Sequence, residues 1–313
     1  MPTYDTIIKG GTVIDGTMTP RRRADVAIKD GRIVEISRIL RASDASEVID
    51  ATGLIVAPGF VDLHTHYDPY FFFDPYCTLS GWHGVTSVVI GNCGFGFAPA
   101  KEHDRDYLMK MLTRNESIDY GVMEAVLPWN WESFPEWMDA LEAADKGVNV
   151  LTYVPLSPLI VYVMGLEAAK SRAATPEENA EMCRLLRSAM DAGACGWSAQ
   201  RAEPESGLDG QRDYDGSSFV TDLMSQDTAM ALAEVLADYP HAVLQTLIAA
   251  SSPEQVVRQV EDLAATSKAS VIYNILPPTR ATRTATARCW PGSPTRSAGA
   301  CGSTRSASPA AAG

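Results

Sequence analysis

The chain has 313 residues, is 46% hydrophobic and carries a formal net charge of −13. That length and apolar content allow one large α/β barrel or two ordinary domains, with a buried core rather than disorder. The acidity argues against nucleic acid or an anionic membrane as a partner, because phosphates would be repelled.

Residues 1–57 read as a small β-sandwich-like domain. Its opening residues, Met1-Pro2-Thr3-Tyr4-Asp5, show no basic stretch leading into an apolar run, so no secretory leader is expected. Strands are predicted at Asp5–Lys9 and, past Gly10-Gly11, at Thr12–Ile14. Ala24–Lys29 and Arg32–Ile36 alternate apolar and polar residues on either side of Asp30-Gly31. That dipeptide supplies the positive φ values a two-residue hairpin needs. Val48–Ala51 adds another strand, and Ile55-Val56-Ala57 runs directly into a histidine-bearing segment.

From residue 58 to 276 strand and helix patterns alternate. Strands are predicted near 60–65, 86–91, 149–154, 194–199, 243–248 and 270–275. Thr175-Pro176-Glu177-Glu178 offers a helix N-cap, a proline at the first helical position and a glutamate at the third. Ser252-Pro253-Glu254 repeats that start, and Ser225 caps a further helix. Alternating βα units predict an α/β fold, a TIM-like (β/α) barrel of about six units rather than eight. No window reaches the roughly 18 apolar residues that a membrane span needs.

Residues 97–145 interrupt the rhythm. A helix is predicted around Tyr107–Leu112, followed by the aromatic, proline-bounded stretch Leu127–Trp137. Two readings stand: an insertion lying over the active face of a barrel, or an apolar patch that packs one more helix. Residues 277–313 differ in kind, with five arginines, no acid and no Leu, Ile, Val, Phe, Tyr or Met. Such a segment cannot offset its ordering entropy by burial, so it is expected to be a disordered arginine-rich tail. An out-of-frame translation of GC-rich DNA gives the same composition, and the abrupt change favours that origin. On that reading the barrel is truncated.

The chemistry concentrates in Pro58-Gly59-Phe60-Val61-Asp62-Leu63-His64-Thr65-His66. On a strand, period-two geometry puts Phe60, Asp62, His64 and His66 on one inward face, at the C-terminal end where barrel enzymes keep their sites. Two imidazoles a few Å apart can chelate Zn²⁺. Asp62 and Asp68 could orient an imidazole or bind metal themselves. His83 and His103 read as exposed or helix-packing. Cys77, Cys183 and Cys195 read as core or unremarkable. The six cysteines are scattered without paired spacing, so reduced thiols and a cytoplasmic location are expected.

Ala57–Asp68 resembles the first-strand metal motif of the amidohydrolase superfamily. With the second motif, Gly84–Pro99 and its Gly91-Asn92-Cys93-Gly94 core, it resembles the N-acyl-D-amino-acid deacylase (D-aminoacylase) branch. The resemblance covers residues 3–276. It implies a small β domain beside a (β/α)₈ barrel, a zinc cofactor, and an N-acyl amino acid or related amide as the small-molecule substrate. It implies His64, His66 and Cys93 as metal ligands. Hydantoinase-like relatives use a carboxylated lysine on strand four; here no lysine occurs between Lys170 and Lys268, which disfavours that branch. The branch places further histidine ligands on strands five and six, where this chain has Gln245 and Asn274, with His241 just before. Amides are poor zinc donors beside imidazole. The branch's catalytic aspartate falls beyond Leu276. The resemblance therefore implies a metal-dependent amidohydrolase that cleaves a C–N amide bond. Two alternatives remain: a non-catalytic, degenerate barrel fragment, and a mononuclear hydrolase of a lactone or cyclic ester.

Overall fold

A computed structural model of the chain describes residues 2–203, 206 and 211–274. The expected arginine-rich tail lies outside the described residues. The chain forms two compact units, one of residues up to 62 with 78–87, the other of 63–77 with the residues from 88 onward.

The first unit is built on β1 (Tyr4–Val13), β2 (Arg22–Lys29), β3 (Arg32–Ser37), β4 (Ala45–Asp50) and β5 (Ile55–Val56). The sheet order is β3-β2-β1-β4, with β5 also pairing β1. The strands expected on either side of Gly10-Gly11 are one strand, because a register shift between Ile8 and Gly11 absorbs the break. The expected hairpin forms: β2 and β3 pair antiparallel around Asp30 (φ +49°) and Gly31 (φ +70°). Apolar side chains Ile7, Ala27 and Leu40 fill one cluster, and Val13, Ala24 and Val26 another. Buried Asp25 lies among them and accepts hydrogen bonds from the Gly10 and Leu40 amides and from Lys9 Nζ. Its partners satisfy a carboxylate that would otherwise be costly to bury. This unit also holds β6 (Phe60–Asp62), α1 (Thr78–Trp82) and the start of β7 (Val85–Ile90).

The second unit takes up β7 at Val88 and continues through α2 (Arg105–Glu116), α3 (Tyr120–Val126), α4 (Phe134–Ala143), β8 (Asn149–Thr152) and β9 (Val154–Pro155). It then runs through α5 (Leu156–Met164), α6 (Leu166–Ser171), α7 (Pro176–Asp191), β10 (Gly196–Ala202), α8 (Gln226–Leu236), β11 (Val243–Ala249), α9 (Pro253–Ser267) and β12 (Ser270–Tyr273). β9, β10, β11 and β12 pair in parallel in chain order. The Tyr153 amide, between β8 and β9, donates to the Ile90 carbonyl at 2.9–3.0 Å range typical of a ladder bond, 3.0 Å here. Parallel strands joined by helices make a TIM-like barrel wall. It is incomplete, with strands at six successive positions among the described residues, and a β domain precedes it. Trp197, fully buried, donates its indole N–H to the Leu232 carbonyl and pins β10 to α8.

The helix starts read from sequence hold. Thr175 accepts from the Glu178 amide while the Glu178 carboxylate accepts from Thr175, closing a capping box with Pro176 in the first turn. Ser225 and Ser252 cap α8 and α9. The insert divides its work. Trp131, Phe134 and Trp137 are buried, and the Trp131 indole N–H donates to the Phe97 carbonyl, so the aromatic stretch packs α4. α2 does something else, described below.

The capping box yields a stability test. Thr175→Ala should cost about 1 kcal/mol, read as a lower urea midpoint at unchanged slope. The Arg172 guanidinium, then the Thr175 amide, holds the Glu178 carboxyl down at about 2, below its ordinary 4.5. Its folded value lies below its unfolded one. The stability it contributes is therefore present above about pH 4.5 and lost as pH falls toward 2. Wild type should exceed Glu178→Gln in stability near neutral pH, and the gap should narrow on acidification.

Candidate metal centre

β7 delivers the centre. After Ile90 the chain turns through Gly91 at φ +71° into a single 3₁₀ turn, Asn92–Gly94. Cys93 sits inside that turn with φ +59° and ψ 9°, a left-handed conformation that non-glycine residues seldom adopt. The surrounding hydrogen bonds hold it there. The Cys93 amide donates to Gln245 Oε1 at 2.8 Å. The Gly94 amide donates to Ser198 Oγ at 2.9 Å, and the Ser198 hydroxyl donates to the Gly91 carbonyl. Ser198 and Gln245 are register partners on β10 and β11, so one rung of the parallel sheet clamps the turn.

The histidine segment is fastened to the same turn. Buried Asn92 donates through Nδ2 to the carbonyls of Thr65, 3.1 Å away, and Val89, 2.9 Å away. Thr65 donates its amide and its hydroxyl to the Val89 carbonyl. Asp68, buried, accepts the Gly91 amide at 3.2 Å. Burial pushes its carboxyl up to about 7.

Sequence spacing put His64 and His66 on the strand itself. The strand instead ends at Asp62, and both histidines lie on the irregular segment beyond it. They still face one another, with ring centroids 5.3 Å apart and edge to face. Phe60, expected on an inward face, is 64% exposed.

His64 Nε2 lies 3.3 Å from Cys93 Sγ. One donor atom from each of His64, His66 and Cys93 lies within 4.8 Å of the other two. Burial, then the His64 charge, pushes His66 down to about 3, so its imidazole is neutral and has a lone pair to give at neutral pH. Burial, then the Glu116 carboxylate, pushes the Cys93 thiol up to about 12. Without a cation beside it the sulfur keeps its proton. His66 Nδ1 and Gln245 Nε2 are buried and have no hydrogen-bond partner. Two imidazoles and a thiol suit a borderline-soft divalent ion such as Zn²⁺. Tetrahedral bonds of about 2.0–2.3 Å separate their donors by roughly 3.3–3.8 Å, and the His64–Cys93 pair already has that spacing.

Gln245 lies on β11 and Asn274 directly follows β12. Both reach Cys93, Gln245 at its amide and Asn274 Nδ2 at its sulfur, 3.7 Å away. His241 stays in the exposed turn before β11. His83 is exposed, and exposed His103 lies 3.6 Å from Asp104. Cys77 is buried, and Cys183 and Cys195 are half-buried free thiols.

Sequence spacing gave no sign of Glu116, the last residue of α2. Its Oε1 lies 3.5 Å from His66 Nε2 and also accepts from Gln211 Nε2 at 3.2 Å. Burial raises its pKa. It stands fifty residues from His66 in a segment of irregular pattern, and no local motif marks it.

A family model described as the amidohydrolase family matches residues 47–276. D-aminoacylase of Alcaligenes xylosoxydans xylosoxydans is 38% identical over 193 residues, 62% of this chain and 37% of the relative. N-acyl-D-glutamate deacylase of the same organism is 36% identical over 212 residues, 68% of this chain and 40% of the relative. The solved N-acyl-D-glutamate deacylase of Bordetella bronchiseptica is complexed with zinc and a phosphonate inhibitor that mimics the tetrahedral intermediate. It superposes with a TM-score of 0.70 at 29% identity, covering 92% of this chain and 56% of that one. The chain thus spans less than half the length of these sequence relatives.

Gly91 gives the direct test of how the turn is held. A Cβ there would sit 2.6 Å from the Tyr153 carbonyl oxygen, on a backbone already at φ +71°. Gly91→Ala should lower stability by at least the ~1–3 kcal/mol of left-handed strain, measured by urea unfolding. A variant as stable as wild type would show that the turn is not locked.

Proposed function

The chain belongs to the amidohydrolase family, and we propose that His64, His66 and Cys93 hold a zinc ion for hydrolysis of an amide bond in an N-acyl amino acid. The observation that carries this reading is the convergence of the three donors within 4.8 Å, with Cys93 on the turn that follows β7. The zinc and the phosphonate inhibitor of the Bordetella relative support it. So do the D-aminoacylase and deacylase relatives.

When bound, such an ion supplies Lewis-acid polarisation of a carbonyl oxygen and acidifies water. The chain's own residues prepare the site. His66 is neutral at working pH, so its lone pair needs no deprotonation. Cys93 must release its proton to solvent as the ion arrives, which makes metal uptake favour higher pH. Gln245 fixes the Cys93 backbone without adding charge. The aspartate that the resemblance assigns to proton transfer would fall on a strand after Leu276, and residues 277–313 carry no acid. A Cys93 ligand must stay reduced, and we assign the chain to the cytoplasm on that ground. No helix among the described residues is long and apolar enough to cross a membrane.

Metal analysis of the purified chain should find about one zinc per chain, falling below about 0.1 in His64→Ala and in Cys93→Ala. Absence of zinc from wild type in metal-replete buffer would sink the proposal. Incubation with N-acetyl-D-methionine should release the free amino acid in a metal-dependent way. Turnover of simple lactones alone would favour the cyclic-ester alternative, and metal uptake without either turnover the non-catalytic one.

A further inference from the structure

We infer that Glu116 is a fourth protein ligand of the metal ion held by His64, His66 and Cys93. This rests on the metal-site reading above and adds to it a donor from outside the barrel strands.

Three observations carry it. Glu116 Oε1 lies 3.5 Å from His66 Nε2, the spacing of two neighbouring donors on one tetrahedral ion. The side chain is only 19% exposed, so its charge is largely withdrawn from water. Among the described residues it meets His66 and Gln211, and neither compensates a carboxylate as a cation would. The Glu116 carboxylate stands outside the 4.8 Å triad. It sits on the final residue of α2, and Ser117 turns the chain out of the helix at φ +55°. A terminal side chain of that length can close on the ion by rotation about its own bonds.

Charge balance points the same way. Gln245 and Asn274 approach Cys93 but are neutral amides. A divalent ion with two imidazoles and one thiolate leaves one positive charge in a partly buried place. A carboxylate beside it brings the site to neutrality, and burying a neutral cluster costs far less than burying a charged one. The proton balance is simple: Cys93 loses one proton to solvent on binding, and Glu116 binds as the carboxylate.

Cobalt(II) binding to the whole chain tests this, with wild type, Glu116→Gln and Cys93→Ala titrated in parallel. Affinity and the visible and near-ultraviolet spectra are the readouts. Glu116→Gln should weaken binding at least about 10–100-fold, the loss typical even of residues that only support a ligand. It should also change the intensity and position of the cobalt d–d bands while keeping the thiolate-to-metal band of Cys93. A thermal melt of each metal-free protein separates lost binding from lost folding. Should Glu116→Gln fail to fold, Glu116→Ala and Gln211→Ala replace it. The first should change the d–d bands, and the second should leave them as in wild type. An unchanged spectrum in a folded Glu116 variant would overturn direct coordination, whatever the affinity. Failure of wild type to bind cobalt or zinc would instead overturn the metal-site reading on which this depends.

Discussion

The hydrogen bond from the Cys93 amide to Gln245 Oε1 is the constraint on which the centre depends. It joins the turn after β7 to the middle of the parallel sheet. Cys93 adopts a left-handed backbone that is unfavourable by itself, and such a conformation persists only when several contacts specify it together. Here they come from three elements: Gln245 on β11, Ser198 on β10, and Asn92 reaching back to the histidine segment. The positions of His64 and His66 follow from that turn, because Thr65 between them pairs with Val89 just before it. The sheet register therefore sets the donor geometry. A one-residue slip of β11 would turn Gln245 to the other face and free the turn.

The electrostatics of the centre follow from its burial. Two of its donors are neutral until a cation arrives: the His66 imidazole is held well below its ordinary pKa and the Cys93 thiol well above it. Both shifts express the same cost of charge in a poorly solvated place. A divalent ion reverses the logic for the sulfur, because its field stabilises the thiolate that burial opposes. The carboxylate of Glu116 raises the Cys93 pKa while the site lacks metal, yet offsets the charge once an ion is there. The same group opposes a free thiolate and would favour a metal-bound one.

Much of this was legible in the sequence, for definite physical reasons. The βα alternation, the Asp30-Gly31 hairpin and the Thr175 capping box are local patterns whose stereochemistry is written in adjacent residues. His64 and His66 were legible as a pair because two residues of extended chain return to the same side, even though the strand stops at Asp62. Cys93 was legible only by resemblance, since a lone cysteine in an apolar turn is commonly a core residue. The role of Asp68 in receiving the Gly91 amide was not, because it needs the turn's conformation. Glu116 was hidden for another reason. Its approach to His66 is set by the docking of α2, a long-range packing event with no periodic signature.

That difference in origin bears on how such a centre can vary. Gln245 and Asn274 are tied to the barrel wall, and any donor placed there must respect the β10–β11–β12 register. The hold is uneven. Gln245 sits on an inner strand and is fully buried, whereas Asn274 follows β12, the last strand of the sheet among the described residues, and reaches the sulfur only at 3.7 Å. An amide at either position keeps the turn's hydrogen bonds but contributes little to a zinc ion. A carboxylate carried on α2 is under no such constraint. It can be gained, lost or repositioned by changes in the insert without disturbing a single rung of the sheet. The strand residues then fix where an ion can sit, and the insert sets the charge it meets there.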